Sequence, residues 1–489
     1  MAAPSSLVDT LTASGGAEPA GFLNDIVEQL WPNIRVYGAN VTKETVEPIL
    51  KSTLPAPLNN LKFTKLDLGS VPIQFSNVDV HKTTNQGIKL DMDLNWEGVC
   101  DIELDGSMVP KVGVERVHMK GRISVLLCPL INVVPLIGAA QVAFINPPSL
   151  TLDFTDAADI ADISLISSTV RSTILGIIES MVVLPNRFLV KLDNNNDFFK
   201  TYQPHHGFLR VTIGKANGIS APKPGEKKST MKRLMAKVKL EDVPDCYVKV
   251  KVGAGEEWKT STVDNNHSPE WNETHDFLVA DYEQHIFADI QDEDTATGDD
   301  DIGLGSITVK DILLNGGSHD LKLTHKGEET GATLSVHAKF YHLVADAQIL
   351  SSASNTQGQG QGLFCGLATI LIASALGLDG NRKELNPSVK ITWGDKTFQT
   401  VAKTYTPGMD IFNPAFDQAF RIPLTADMMA NPHHFKLSLM NKNSEVGSTE
   451  LGFQDVMAAE GMVKEGEFEV GGGASVRARV SLFGVKEAE

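Results

Sequence analysis

The densest chemistry in this chain surrounds the stretch QDEDTATGDDDIG: from Asp289 to Asp301 seven carboxylates (Asp289, Asp292, Glu293, Asp294, Asp299, Asp300, Asp301) occur without a base. Such a cluster repels itself unless water or a hard cation neutralises it. Asp292 and Asp294, two residues apart after a strand pattern, can aim oxygens at one point, and Asp300 returns on the far side of the loop. Oxygen-only donors on a loop suit Ca²⁺ rather than zinc. The spacing is not that of an EF-hand, because the sixth position from Asp292 is Thr297 and the twelfth is Gly303. Taken alone, the run also reads as a solvated acidic turn. Asp245, directly before the strand pattern CYVKVKV, and Asp242 form a second source of carboxylates.

A basic counterpart lies close by in sequence. KPGEKKSTMKRLMAKVK at 223–239 carries seven bases and one acid. Beside an anionic lipid surface, each base near the surface contributes roughly 1 kcal/mol. Lys227, Lys228, Lys232 and Arg233 are the expected docking charges, with Leu234 and Met235 able to insert. A solvated loop and a calmodulin-type target are the other readings of this segment. Nucleophilic catalysis has little to build on: there is no Gly-x-Ser-x-Gly, and the pairs His205-His206 and His433-His434 sit in loop-like sequence, as expected of exposed polar residues. The chain is expected not to be an enzyme.

Three blocks must position these residues. In the first, Leu23, Ile26, Val27, Leu30, Ile34, Val41, Val46, Ile49 and Leu50 recur at helical spacing until Pro55 and Pro57. In GIKLDMDLNWEG, Ile88, Leu90, Met92, Leu94 and Trp96 alternate with Lys89, Asp91, Asp93, Asn95 and Glu97, giving a strand with one dry and one wet face. A second helix pattern (Val170, Ile174, Ile177, Ile178, Met181, Val182) ends at Leu184-Pro185-Asn186. The polar stretches 193–206 and 344–362 read as linkers, and between and after them short strand patterns predict two β-sandwiches. These repeat: Pro269-Glu270-Trp271-Asn272 with Phe277 answers Pro414-Ala415-Phe416-Asp417 with Phe420. Gly303 is matched to Gly452. At the acidic positions the second copy offers Asn386, Asn441-Lys442-Asn443 and Thr449, leaving only Asp379.

The pattern Asp-x-Tyr-Val-x-Val, Pro-x-Trp-Asn, Asp-x-Asp, Asp-x-Ile-Gly resembles a C2 domain. That resemblance implies an eight-stranded sandwich whose acidic loops chelate Ca²⁺ and dock on phospholipid, with Asp245, Asp292, Asp294 and Asp300 at the ligand positions and Asp242 standing in for a missing first-loop Asp. The first block, with FLNDIVEQLWPNIRVYGANVTKETVEPIL, FTKLDLGSVP, CPLINVVPLIGAAQVAFINPP and MVVLPNRFLVKL, resembles the SMP lipid-transfer domain of extended synaptotagmins, tricalbins and plant synaptotagmins. The expected fold class is an α+β tubular lipid-binding (TULIP-like) domain at 21–192, followed by all-β antiparallel C2-type sandwiches at 207–343 and 363–485. The resemblance implies transfer of glycerophospholipid or diacylglycerol, homodimerisation through the first domain, and a cytoplasmic, peripheral position at contacts between endoplasmic reticulum and plasma membrane. Ile88, Leu90, Met92, Leu94, Trp96, Val142 and Phe144 are the expected groove residues, with ordinary core packing as the other reading of each. A Ca²⁺-dependent tether without transfer is the alternative function.

Bulk properties fit. The 489 residues are 42% hydrophobic and 21% charged, with a formal net charge of −18, which argues against nucleic acid as partner. Cys100, Cys128, Cys246 and Cys365 lie far apart, as suits free buried thiols. No signal peptide or transmembrane segment is expected. Residues 123–145 contain two prolines, 363–378 are too short to span, and both read as buried strand.

Overall fold

A computed structural model describes residues 19–53, 58–83, 87–106, 109–155, 161–193, 196–219, 243–293, 299–352 and 362–488. The first block is a seven-stranded antiparallel sheet with two helices on one face. Its elements are α1 (Gly21–Thr53), β1 (Lys62–Asp67), β2 (Gln74–Lys82), β3 (Ile88–Gly106), β4 (Val109–Leu127), β5 (Ala139–Phe144), β6 (Ser149–Phe154), α2 (Ala161–Val182) and β7 (Phe188–Lys191). β3 and β4, 19 residues each, form the spine on which β1, β2, β5 and β6 pair. Paired residues share a face, so the alternation in β3 propagates across the sheet. Leu90, Val125 and Val142 form one row, Met92, Ile123 and Phe144 the next, and Trp96, Met119 and Leu150 a third.

Trp31 anchors α1 to that apolar face. Its ring meets Trp96 edge-on at 5.9 Å, and the two indoles donate to the carbonyls of Gly69 and Val71. α1 runs through Pro32 and Pro48 as one helix, and Ile26 and Leu30, expected on its buried face, point to solvent. From α2, Ile174, Ile178 and Val182 pack onto the sheet.

On the opposite face Asn95 and Glu97 are exposed as expected, but the Lys89–Asp91 end departs from the expected wet surface. Asp91 is only 1% exposed, because the first sandwich covers it. Lys89 bridges Asp91 (2.8 Å) and Asp281 of the sandwich (2.6 Å), and His81 adds a 3.3 Å contact to Asp91. Arg122 gathers Asp79, Asp93 and, across the junction, Glu283 at 2.6 Å. Leu184 is buried at the same seam, its carbonyl accepting from Ala254 N–H.

Among the described residues the sandwiches have eight strands each: β8 (Gly207–Asn217), β9 (Cys246–Val252), β10 (Trp258–Lys259), β11 (Glu270–Val279), β12 (His285–Asp292), β13 (Asp300–Thr308), β14 (Ser318–His325) and β15 (Glu328–Val344), then β16 (Phe364–Leu376), β17 (Pro387–Trp393), β18 (Lys396–Gln399), β19 (Ala415–Thr425), β20 (Phe435–Asn441), β21 (Ser444–Leu451), β22 (Val463–Gly471) and β23 (Ala474–Glu487). β15 and β23 pair over Tyr341–Val344, so one sheet runs through both domains. The Arg210–Asp276 fork reinforces the joint, with Asp276 also accepting from Phe364 N–H.

The two apolar runs resolve differently. β16 is the buried strand expected of 363–378: Ala368, Ile370 and Ile372 face the core, while Leu371 and Ala373 meet Phe198 and Phe199. Those phenylalanines belong to α3 (Phe198–Thr201), capped by Asp197, within a stretch that reads as linker in sequence. Residues 123–145, by contrast, are strand only at their ends. Between β4 and β5 a loop closed by Ile131 N–H to Leu136 carbonyl and Gly138 N–H to Pro129 carbonyl holds apolar side chains outward, Val134 being 90% exposed. All four cysteines are free, three of them buried and Cys365 half-buried.

Removing Lys89 leaves the buried Asp281 without its cation and Asp91 with His81 alone. Lys89→Ala is expected to destabilise the protein by about 3–5 kcal/mol, read as a lower denaturant midpoint. Lys89 also holds Asp281 below the usual carboxylate range in spite of burial, which alone would raise it. A depressed folded pKa contributes stability above the unfolded value of about 4 and loses it as pH falls through the folded value. Unfolding titrations from pH 7 to 2 should therefore show an acid loss in wild type that is smaller in Asp281→Asn.

Candidate functional site

The acidic end of the first sandwich is built by strand pairing. Asp292, the last residue of β12, sits opposite Asp300 of β13 and Cys246 of β9, which brings Asp245, Asp292 and Asp300 to one edge. Asp292 is buried, and its Oδ1 accepts from the Asp245 N–H at 2.8 Å. The Asp245 carboxylate accepts from Asn265 N–H at 2.7 Å, and its carbonyl accepts from Glu293 N–H. Nearby, Tyr247 donates to Asp299, and Lys259 lies 3.5 Å over the Tyr247 ring. The negative potential is legible one turn of the pleat away, where burial first and the Asp301 carboxylate second push Asp289 up to about 6. Asp242 and Asp294 lie outside the described residues, as do Lys227, Lys228, Lys232, Arg233, Leu234 and Met235. Among the described residues no three acidic, His or Cys side chains form a metal-holding group on their own. The oxygen-only donor set is nevertheless of the kind a hard divalent cation takes.

The second sandwich reproduces this edge with the charge removed. Asn441 Oδ1 accepts from Asn386 N–H at 2.8 Å, and Lys442 N–H donates to Asn386 carbonyl, bond for bond as at Asp292 and Asp245. Thr400 and Thr260 likewise accept from Val389 and Val248. Asn272 and Asp417, matched in sequence, both take positive φ. One expected correspondence shifts: Asn441 pairs with Ser444, and Leu439 with Gly447. Ser444 and Gly447, rather than Thr449 and Gly452, thus occupy the places of Asp300 and Gly303. Asp379 keeps a local bond to Gly380 N–H.

The groove residues divide into two groups. Met92, Leu94, Trp96 and Phe144 are buried in one apolar cluster that also holds Trp31. Ile88, Leu90 and Val142 are half-buried toward the other end of the same face, where β4 adds Val125. The sequence concealed Val125, Met119 and Trp31, because only strand register and helix placement bring them to this face; alternation in HMKGRISVLL was the available signal. His205, expected to be exposed, is buried, whereas His206, His433 and His434 are exposed.

With this geometry in view, comparison with known proteins is informative. The Synaptotagmin-like mitochondrial-lipid-binding domain matches residues 16–193, and the C2 domain matches 207–324 and 366–470. Human (Homo sapiens) extended synaptotagmin-1 is 28% identical over 412 residues, covering 82% of this chain and 36% of that protein. Extended synaptotagmin-2 of Mus musculus is 26% identical over 491 residues, covering 95% and 54%. The chain thus spans about a third to a half of the length of these relatives. In fold, it matches a solved structure of the SMP, C2A and C2B domains of extended synaptotagmin 2 with a TM-score of 0.64 at 22% identity, covering 96% of this chain and 100% of that one. The seven-stranded sheet with its apolar face, followed by a duplicated sandwich, is an SMP lipid-binding domain with two C2 domains, and the chain is homologous to the extended synaptotagmins.

Proposed function

We propose that this chain is a non-enzymatic carrier of glycerophospholipid or diacylglycerol between apposed membranes, docked through its first C2 domain when Ca²⁺ rises. The observation that carries the reading is the apolar sheet face under α1 and α2, where Leu90, Val125, Val142 and Ile178 are half-buried. Acyl chains lying there gain about 0.8 kcal/mol per buried CH₂. The tether alternative draws on the burial of Met92, Leu94, Trp96 and Phe144 in one cluster with Trp31, which leaves less of that face for lipid. Mass spectrometry of the purified protein separates the two: co-purified glycerolipid, reduced several-fold in Val125→Trp/Val142→Trp, is expected of the carrier. Protein free of lipid and inert between liposomes would leave only the tether.

At the acidic edge, Asp245, Asp292 and Asp300, with Asp242 and Asp294, would hold Ca²⁺, and the bound cation would bridge to anionic head groups. The 223–239 bases would add to this, in a manner weakened by salt. Asp292→Asn should be tolerated structurally, because Asn441 makes the same hydrogen bond in the second domain. Asp292→Asn/Asp294→Asn is expected to abolish the Ca²⁺-dependent fraction in liposome co-sedimentation and to spare basal binding; an unchanged Ca²⁺ response defeats the ligand assignment. The second domain, neutral at these places, would make a Ca²⁺-independent contact.

Homodimerisation through the SMP domain is supported by an exposed stripe on α1, where Phe22, Ile26, Leu30 and Tyr37 fall on one side at helical spacing. Ile26→Glu/Tyr37→Glu should convert a dimer to monomer in sedimentation equilibrium without lowering thermal stability. Position at contacts between endoplasmic reticulum and plasma membrane is part of the same proposal.

A further inference from the structure

Where the SMP domain, the 196–206 segment and the second C2 domain meet, buried polar atoms collect without partners. Arg187 Nη1, Tyr202 Oη, both ring nitrogens of His205, and Arg421 Nε are buried with no hydrogen-bond partner among the described residues. His205 is only 6% exposed. The groups come from three separate parts of the chain: Arg187 follows α2, Tyr202 and His205 follow α3, and Arg421 lies on β19. Arg421 joins them, its Nη2 donating to the carbonyl of Pro185 at 3.4 Å and its guanidinium lying 5.9 Å from the Tyr202 ring.

The balance of charge is what makes the site informative. Guanidinium nitrogens donate only, and a buried charged donor left unmade is among the costliest features a fold can carry. Asp281 and Asp91 are the carboxylates that act on Arg187; both contact Lys89, and Asp91 Oδ1 is itself buried without a partner among the described residues. Lys89 and Arg187 share these two carboxylates, and Arg421 adds a third positive charge beside Arg187. His205 cannot add an acid: burial, then Arg421, hold it well below its ordinary value, so it is a neutral ring with one donor and one acceptor. Two guanidiniums, a phenol and an imidazole, with one carboxylate fewer than the cations around them, are the donor set of an oxyanion with several acceptor oxygens.

We propose that this three-way junction binds a phosphate-type oxyanion, which joins the SMP domain to the second C2 domain. The ligand supplies acceptors to Arg187, Arg421 and Tyr202 at once, so its occupancy is linked to the domains being docked. A free phosphate and a phosphorylated head group share this chemistry.

The test uses the full chain. Wild type is titrated at constant ionic strength with inorganic phosphate against chloride, with a soluble inositol polyphosphate, and with vesicles containing a phosphorylated inositol lipid, reading calorimetric binding and thermal midpoint. Saturable binding of inorganic phosphate identifies free phosphate, binding of the polyphosphate alone identifies a released head group, and vesicle binding alone a membrane-held one. In each case Arg421→Gln is expected to weaken affinity tenfold or more and Tyr202→Phe about threefold. If none of the three ligands binds in a manner sensitive to Arg421→Gln, the junction holds water and the proposal is overturned. Should Arg421→Gln not fold, Tyr202→Phe decides alone, because it removes one hydroxyl; affinity equal to wild type then overturns the site.

Discussion

Alternation along one strand governs this molecule. β3 turns Leu90, Met92, Leu94 and Trp96 to one side and Lys89, Asp91 and Asp93 to the other, and register carries that division across the sheet. The first set needs an apolar cover, supplied at one end by Trp31 and α2. The second set is used as an interface: Lys89 and Arg122 reach across to Asp281 and Glu283. A slip of one residue would exchange the faces, sending charge into the apolar interior and grease onto the neighbouring domain. Apolar interior and domain docking are thus two outcomes of a single periodicity.

The duplicated sandwiches show how little must change to alter a site without altering a fold. Asp292 serves the backbone as well as carrying charge, and Asn441 keeps the first service while giving up the second. An amide oxygen accepts the same N–H bond as a carboxylate, so the edge keeps its shape. Positive φ at Asn272 and Asp417 persists for the same reason, since both types tolerate that conformation.

Much of this was readable in order of residues. Helix, curved sheet, helix and two sandwiches follow from periodicity, and the Asp-to-Asn exchange from aligned landmarks. What escaped reading depended on contacts between distant segments. Asp91 looked solvated because nothing in DMDLNWEG announces that Asp281 will cover it. Phe198 and Phe199 sit in polar sequence, and only the outer face of β16 explains their burial. Residues 128–138 are as apolar as the strands beside them, yet two short backbone bridges fold them into a loop that holds Val134 in water. His205 followed the same logic as Asp91: its company comes from Arg187 and Arg421, which lie before and well after it in the chain.

The state of the thiols has a practical corollary. Burial pushes Cys100 and Cys365 up to about 11 and Cys246 up to about 12, and it raises Cys128 as well. Alkylation proceeds through the thiolate, which is scarce at neutral pH under those conditions. A cysteine engineered onto the surface would outcompete the native four, so a fluorophore or spin label could be installed at a chosen place without first stripping the chain of its own sulfur.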